Sequence, residues 1–375
     1  MKRKLFIVPM GLLLGASLYG CTNKETLVLY NWGEYIDNSN MDGVNLIKKF
    51  EREYNCKVKT PYFDSNEAAI TSMETESYDI VIPSEYAIEQ LALNDKIEEI
   101  DWTKVEGFTK DDISTPLKTM LTNLNSGENG FDFLKYSVPY FFGSVGICYN
   151  KENVSLDDLK KEGWNIFKNE KYRNRVAYYD SSRDGFMVPL KALGYSMNTT
   201  STVEVDLAYN WLTDMKSKIN PSFKTDELLS EVPEKNNNID LALMYSGDAI
   251  YTIRLAKEKN YELGFYLPSS DNEEENFGTN IFADGMVIPK NAKNKELAYK
   301  FISFMCRKEN AIANSEYVGY SSSVNSAFKE LVSEDGEFSD YKEIYSVPVH
   351  SKDEIFRFNS DMKKYMNNKW TSLKA

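Results

Sequence analysis

Short apolar runs alternate with segments of helical periodicity over the first hundred residues. The predicted elements are, in order, a strand at 27–31, a helix with Val44, Ile47, Phe50 and Tyr54 on one face, a strand at 57–63, a polar helix, a strand at 78–82, and a helix marked by Ile88, Leu91 and Ile97. The strand at 78–82 is apolar without alternation, which is typical of burial on both faces. This β-α-β-α-β order predicts an α/β fold with a parallel sheet covered by helices.

The same alternation resumes after residue 137. The elements predicted there are strands at 176–179, 239–245 and 286–289, and helices at 184–193, 206–217 and 295–306. The acidic segment 269–276 lacks the ligand spacing of a calcium loop, so we predict a solvated loop. Without a leader of 20 residues the 375-residue chain would keep 355, which is long for one core and predicts two domains.

The N-terminus carries the features of a secretory signal. Residues 2–4 are basic, residues 5–17 are mostly apolar, and Leu18-Tyr19-Gly20 precedes Cys21. We predict cleavage before Cys21 and lipidation of its thiol, which would tether the protein to the outer face of the cell membrane. Tyr19 is bulkier than usual at its position, so a plain secretory peptide and an uncleaved anchor remain alternatives. No other run approaches 18 apolar residues.

Charge narrows the range of partners. The formal net charge is −13, and removal of three basic residues with the signal would make it −16. Nucleic-acid binding depends on neutralising phosphates, so we predict no nucleic-acid partner. An acidic body is compatible with cationic ligands.

The usual catalytic and metal-binding motifs are absent from the sequence. His350 is the single histidine, and no GxSxG elbow, GxGxxG, GxxxxGK[ST] or HExxH is present. Cys56, Cys148 and Cys306 are too widely spaced for a CxxC site and are predicted to be buried thiols. We therefore predict a non-enzymatic protein without cofactor or metal. A carboxylate-pair hydrolase remains an alternative, because 57 acidic residues always supply pairs.

Several polar and aromatic turns follow predicted strands. They lie at Trp32, at Ser84, at 180–184 and at 245–248. In open α/β sheets ligands bind beyond the carboxyl ends of the strands, so these turns could converge on one cleft. The Trp, Glu and Tyr of the first turn suit capture of an organic cation.

Five motifs in order carry a resemblance to a known family. They are LYNWGEY (29–35), YDIVIPSEY (78–86), VPY (138–140), IPKNAKN (288–294) and VGY (318–320). The chain resembles the spermidine/putrescine-binding proteins of bacterial polyamine ABC transporters. The resemblance implies a periplasmic-binding-protein type II fold of two α/β lobes joined by hinge crossovers, with the ligand between them. Lobe one would hold 26–136 and 284–329, and lobe two 137–280 and 333–375.

The resemblance also implies a ligand site and partners. Five aromatic residues should line a box, three aspartates should pair with ligand nitrogens, and two further groups could hydrogen-bond. These are Trp32, Tyr86, Tyr245, Phe282 and Tyr320; Asp184, Asp248 and Asp284; and Ser84 and Glu34. The implied partners are a polyamine and the permease subunits, and the receptor would be a monomer.

Each of these residues also has a structural interpretation. Ser84 could be a helix N-cap, and Ser181 with Asp184 has capping-box spacing. Asp248 could stabilise a helix dipole, and Asp284 could be a turn residue before a glycine. Any single Tyr or Phe could be ordinary packing.

Several positions depart from the family pattern or bear on specificity. Tyr245 and Phe282 stand where the family often carries Trp, and Phe offers a weaker ring face for cations and no N–H donor. Ser181 stands where spermidine-preferring members carry Asp, and Asp248 where putrescine-preferring members tend to carry Asp. This favours putrescine slightly. Arg357 falls where a polar amide is usual, and we expect it to point away from the ligand or to be misaligned. The sequence also leaves open a receptor for another organic cation and an adhesion or scaffold protein.

Overall fold

The computed structural model describes residues 24–39, 43–126 and 130–375; Cys21 and the signal lie outside these ranges. The strands are β1 (Thr26–Trp32), β2 (Lys57–Lys59), β3 (Tyr62–Phe63), β4 (Ile80–Val81), β5 (Val138–Asn150), β6 (Val176–Tyr179), β7 (Ser222–Lys224), β8 (Leu241–Tyr245), β9 (Leu263–Tyr266), β10 (Ile281–Met286) and β11 (Ser321–Ser322). The helices are α1 (Leu46–Glu53), α2 (Asn66–Ser72), α3 (Glu85–Leu93), α4 (Thr115–Leu124), α5 (Phe133–Tyr136), α6 (Leu156–Glu162), α7 (Ser182–Ala192), α8 (Thr202–Ile219), α9 (Glu227–Glu231), α10 (Ser246–Glu258), α11 (Lys295–Met305), α12 (Lys308–Val318), α13 (Asn325–Leu331), α14 (Lys342–Tyr345) and α15 (Ser360–Lys374). None of the helices in these ranges has the length and apolar character that crossing a bilayer requires.

The first sheet is the predicted parallel one. β1 lies at its centre and pairs in parallel with β2, β3 and β4. Leu27 and Leu29 of β1 are fully buried, as the apolar run predicts. The single strand predicted at 57–63 is instead two short strands, β2 and β3, with Thr60 and Pro61 between them. Pro61 has no amide hydrogen to continue the ladder, although its carbonyl still accepts from the amide of Asn31.

The second sheet is mixed and is organised by one long strand. β5 spans 13 residues, all of them buried. Its first half, to Ser144, pairs antiparallel with β10 and β11, and its second half, from Val145, pairs antiparallel with β8 and β9. On the far side of β8 from β5, β6 pairs in parallel with β8, and β7 pairs in parallel with β6. A strand buried along its whole length shows no alternation, so the sequence pattern did not predict β5.

The strand predicted at 286–289 is displaced in the structure. β10 covers Ile281–Met286. Beyond it, Val287 bridges Val81 in β4 of the first sheet, and Pro289 bridges Ile97, which follows α3. The segment 281–289 therefore runs from the second sheet to the first, as a hinge crossover does, and β5 runs antiparallel beside it.

Apolar side chains collect in separate clusters, one around the first sheet and two around the second. The first cluster includes Leu29, Phe142 and Ile281, and the second includes Val145 and Phe356. The chain therefore passes from the first cluster to the second between residues 142 and 145, and again between residues 355 and 356. Tyr345, within a segment that the sequence assigned to lobe two, packs in the first cluster. The lobe boundaries themselves stay a prediction.

Gly143 provides a test of the close packing at the crossover. A Cβ at this position would lie 2.7 Å from the Phe282 ring and from the Ser246 hydroxyl. We expect Gly143→Ala to destabilise the fold by about 1–3 kcal/mol through overpacking, measured by urea unfolding. Gly33→Ala is the control, because a Cβ there has nothing within 4 Å. Equal stability of the two variants would contradict this packing.

Candidate functional site

A cleft of about 1970 Å³ lies between elements of the two sheets. All ten ligand-site residues predicted from the sequence line it: Trp32, Glu34, Ser84, Tyr86, Asp184, Tyr245, Asp248, Phe282, Asp284 and Tyr320. The structure thus brings together positions from six separate stretches of the chain. Their role in ligand binding stays a prediction.

Strand ends and helix starts position these side chains. Trp32 ends β1, Tyr245 ends β8, and Ser84 and Asp184 fall where β4 and β6 pass into α3 and α7. Ser181 is the N-cap of α7 and accepts from the amide of Asp184, as the capping-box spacing predicts. The cap leaves the Asp184 carboxylate available to face the cleft, so structural and ligand roles are compatible here.

Each of the three predicted aspartates is paired with a tyrosine hydroxyl. Tyr245 donates to Asp184 at 2.9 Å and Tyr35 donates to Asp284 at 2.6 Å. Tyr320 hydrogen-bonds Asp248. A carboxylate accepts several hydrogen bonds, so one tyrosine leaves each of these groups with remaining acceptor capacity. For Asp284 this is explicit, because its Oδ1 has no hydrogen-bond partner among the described residues.

Burial makes these carboxyl groups difficult to ionise in the empty cleft. It raises the pKa of Asp248 to about 7 and that of Asp284 to about 6, against the opposing hydrogen bonds from Tyr320 and Tyr35. Burial also raises the pKa of Asp184. A nearby cation would reverse these shifts, because opposite charge favours the ionised form.

Aromatic rings form a continuous row beside the carboxyl groups. Centroid distances along the row are 5.3 Å from Tyr179 to Tyr245, 5.2 Å from Tyr245 to Phe282, 6.0 Å from Phe282 to Tyr320, and 5.2 Å from Tyr320 to Tyr35. Every contact is edge-to-face, the geometry that aromatic quadrupoles prefer. The row offers an apolar wall with ring faces that attract cations.

Trp32 and Glu34, in the first predicted turn, and Ser84 have different surroundings in the structure. The Trp32 ring packs on Phe63 with centroids 4.6 Å apart, and its Nε1 has no hydrogen-bond partner among the described residues. Glu34 is exposed and has φ of 50°. Ser84 holds the N-cap position of α3, but its side chain makes no capping bond and instead accepts from Asn66 at 3.1 Å.

Tyr86 already has a cation over its ring. The guanidinium of Arg183 lies 3.6 Å from the ring centroid, and the Tyr86 hydroxyl accepts from Asn66 at 2.9 Å. Arg183 also pairs with Glu67 at 3.8 Å. In this structure Tyr86 therefore contributes to a contact across the cleft rather than presenting an open ring face.

Negative charge dominates the cleft. Its lining includes fifteen acidic residues and five basic ones. All five basic side chains are ion-paired: Arg183 and Lys363 with Glu67, Arg254 with Glu337, Lys259 with Glu234, and Arg357 with Glu89. The expectation that Arg357 points away from the ligand or is misaligned stays a prediction. It lines the cleft, and its charge is balanced by Glu89 at 2.6 Å.

Two residues outside the ten predicted ligand-site positions complete this arrangement; the sequence indicated Tyr35 only as part of the first turn and gave no indication of Glu85. Tyr35 donates to Asp284, and Glu85 lies buried at the start of α3 with its Oε2 accepting from the amide of Ala283 at 3.0 Å. Both stand inside the family-like motifs, next to Glu34 and Ser84, so position relative to those motifs was the available signal. Among the described residues no group of three or more His, Cys, Asp or Glu is arranged to hold a metal ion.

Comparisons with known proteins place this geometry in context. Residues 45–348 match the family model described as bacterial extracellular solute-binding protein. The spermidine/putrescine-binding periplasmic protein of Escherichia coli K12 is 29% identical over 325 residues, which cover 86% of this chain and 84% of that protein.

Solved structures show the same relationship. A putative spermidine/putrescine ABC transporter protein from Listeria monocytogenes superposes with a TM-score of 0.73 and is 31% identical, covering 93% of this chain and 99% of that one. The spermidine/putrescine ABC transporter substrate-binding protein of Streptococcus pneumoniae gives a TM-score of 0.70 at 29% identity, covering 93% and 98%. The two-lobed α/β fold predicted from the sequence is confirmed, and the chain belongs to the bacterial extracellular solute-binding protein family.

Proposed function

We propose that this protein is a receptor that captures a linear polyamine, putrescine or spermidine, and delivers it to an ABC permease for import. The observation that carries the proposal is a set of three aspartates beside tyrosine hydroxyls along a row of aromatic rings, with Asp184 and Asp284 buried and Asp248 partly buried. The names of the relatives point to the same ligand class.

The chemistry of the ligand matches the cleft in two respects. A polyamine is an apolar chain with ammonium groups at its ends, and buried ammonium groups must be paired and hydrogen-bonded to offset desolvation. Asp184, Asp248 and Asp284 can supply this pairing. The aromatic row can cover the methylenes, and cation–π contact adds about 0.5–2 kcal/mol at each favourable site.

The remaining parts of the proposal concern location and assembly. Lipidation of Cys21 would tether the receptor to the outer face of the cell membrane, and the permease subunits would be its protein partners. We propose a monomer that binds without turnover and without a cofactor. The two lobes would close on the ligand about the crossovers at β5 and β10, which strengthens carboxylate–ammonium pairing as water is excluded.

A ligand panel tests the proposed class. The purified protein is heated with putrescine, cadaverine, spermidine, spermine, choline, thiamine or arginine in separate samples. A ligand at 100 times its Kd should stabilise the fold by about 2.7 kcal/mol, which raises the melting temperature visibly. Stabilisation by linear polyamines alone is the expected result. Stabilisation by choline or thiamine alone would identify a receptor for another organic cation.

Removal of two carboxylates tests the site. Asp184→Asn/Asp284→Asn should weaken putrescine binding more than about 100-fold, because hydrogen bonds to charged groups each contribute about 1.5–3 kcal/mol. Isothermal titration calorimetry measures the affinity. Asp64→Asn removes one charge from an exposed part of the same cleft and should change Kd by less than about threefold. Near-wild-type affinity of the double variant would refute the site.

The same carboxyl groups should reduce the stability of the empty protein. The folded pKa of Asp284 is about 6 against an ordinary 3.8, so the folded state binds this proton more tightly than the unfolded chain. The resulting destabilisation is present above pH 6 and disappears as pH falls below the unfolded pKa. Asp284→Asn should therefore stabilise the ligand-free protein at pH 8 by on the order of 2 kcal/mol, and by much less near pH 4.

Urea unfolding of wild type and variant at several pH values measures this difference. Asp64→Asn serves again as control and should give no pH-dependent gain. A gain from Asp284→Asn that is constant with pH would show that ionisation is not its cause.

A further inference from the structure

A further buried carboxyl group lines the cleft, and the proposed site does not use it. Glu85 is the first residue of α3 and is 1% exposed. Its Oε2 accepts from the amide of Ala283, whereas its Oε1 has no hydrogen-bond partner among the described residues. A carboxylate stabilises a helix N-terminus, but that role does not require burial of an unpartnered oxygen, which costs free energy.

Glu85 lies beside Asp284 because the start of α3 pairs with β10. Ser84 and Asp284 form an antiparallel bridge, which places Glu85 next to Ala283. Asp284 is 4% exposed, and Tyr35 donates to its Oδ2. The Ser84 hydroxyl, like Tyr35, lowers the pKa of Asp284 against the effect of burial. Two buried carboxyl groups on different elements thus each present one oxygen that is unpartnered among the described residues, and both groups line the cleft.

We propose that Glu85 and Asp284 together bind one primary ammonium group of the ligand, and that the single proton the pair carries without ligand is released to solvent when the ligand binds. The inference rests on the proposed function and adds a binding residue to it. In charge balance, a singly protonated pair of charge −1 loses a proton and receives an ammonium of charge +1. The O–H bond of the pair breaks, and N–H donors of the ammonium take the unpartnered oxygens.

Electrostatics support a shared proton. Burial and the charge of Asp284 raise the pKa of Glu85 to about 8, whereas the Ala283 amide and the cationic Arg183 act in the opposite direction. Tyr35 contributes a neutral hydroxyl to Asp284. Two adjacent buried carboxyl groups do not both ionise without a cation, so the pair keeps one proton at neutral pH.

This arrangement also selects among cations. A primary ammonium offers three N–H donors, whereas a quaternary ammonium offers none and leaves both carboxyl oxygens unpartnered. A site built to hydrogen-bond its ligand strongly rejects an analogue without the donor. The carboxyl pair therefore favours terminal amines over choline-like ligands.

Proton release on binding is the direct test. Putrescine is titrated calorimetrically at about pH 8 in two buffers of different ionisation enthalpy, because Asp248 and Asp284 are then largely ionised and Glu85 remains half protonated. Wild type should release about half a proton per ligand. Glu85→Gln keeps an acceptor for the Ala283 amide and should release almost none. Asp64→Asn, which removes an exposed carboxylate of the same cleft, should release as much as wild type.

The outcomes separate the two proposals. Binding of putrescine without proton release by wild type, or unchanged release from Glu85→Gln, would overturn this inference and leave the receptor intact. Failure of wild type to bind any amine would overturn both. An infrared difference spectrum of wild type provides a measurement that needs no variant, since ligand addition at pH 8, where Asp248 is already largely ionised, should remove a protonated-carboxyl band. Persistence of that band would also overturn the inference.

Discussion

Burial of carboxyl groups without a matching cation is the constraint on which the site depends. Asp184, Asp284 and Glu85 are each at most 5% exposed, and they face a cleft whose basic side chains are already paired. Tyrosine hydroxyls and one backbone amide only partly replace the water that these groups lose. In the proposed function a cationic ligand would satisfy this demand for positive charge, so the property that destabilises the protein without ligand would also provide affinity.

The fold brings these carboxyl groups, which are far apart in the sequence, to the same cleft. Asp284 lies on β10, which is hydrogen-bonded to β5 over its length, and Asp184 lies at the start of α7 on the second sheet. The aromatic row runs between them from Tyr179 to Tyr35. The first half of β5 pairs with β10 and β11, and its second half pairs with β8 and β9. A change in the angle between the lobes would therefore change the distance between carboxylates on opposite sides of the cleft.

Ion pairs in the cleft lining account for its basic side chains. Arg357 with Glu89, and Arg183 with Glu67 and the Tyr86 ring, connect residues 67–89 with the middle of the chain and with the C-terminal segment. These pairs compensate positive charge that would otherwise repel a cation, and acidic residues still outnumber basic ones in the lining. Among the described residues, no ion pair reaches the carboxyl groups of Asp184, Asp284 or Glu85.

Local pattern alone was sufficient for much of this protein. Buried apolar runs predicted β1, β4, β6 and β8, and helical periodicity with caps predicted α1, α7, α8 and α11, because these signals depend on neighbours in the chain. The turns after those strands indicated where a site would form, and the ordered motifs indicated the family. The full length of β5, the displacement of β10 and the pairing of Arg357 were not predictable, since each depends on partners that are distant in the chain. Which oxygen of Glu85 or Asp284 lacks a partner is likewise a property of packing, and only the tertiary structure decided it, because a hydrogen bond exists or not according to distances that the chain order does not encode.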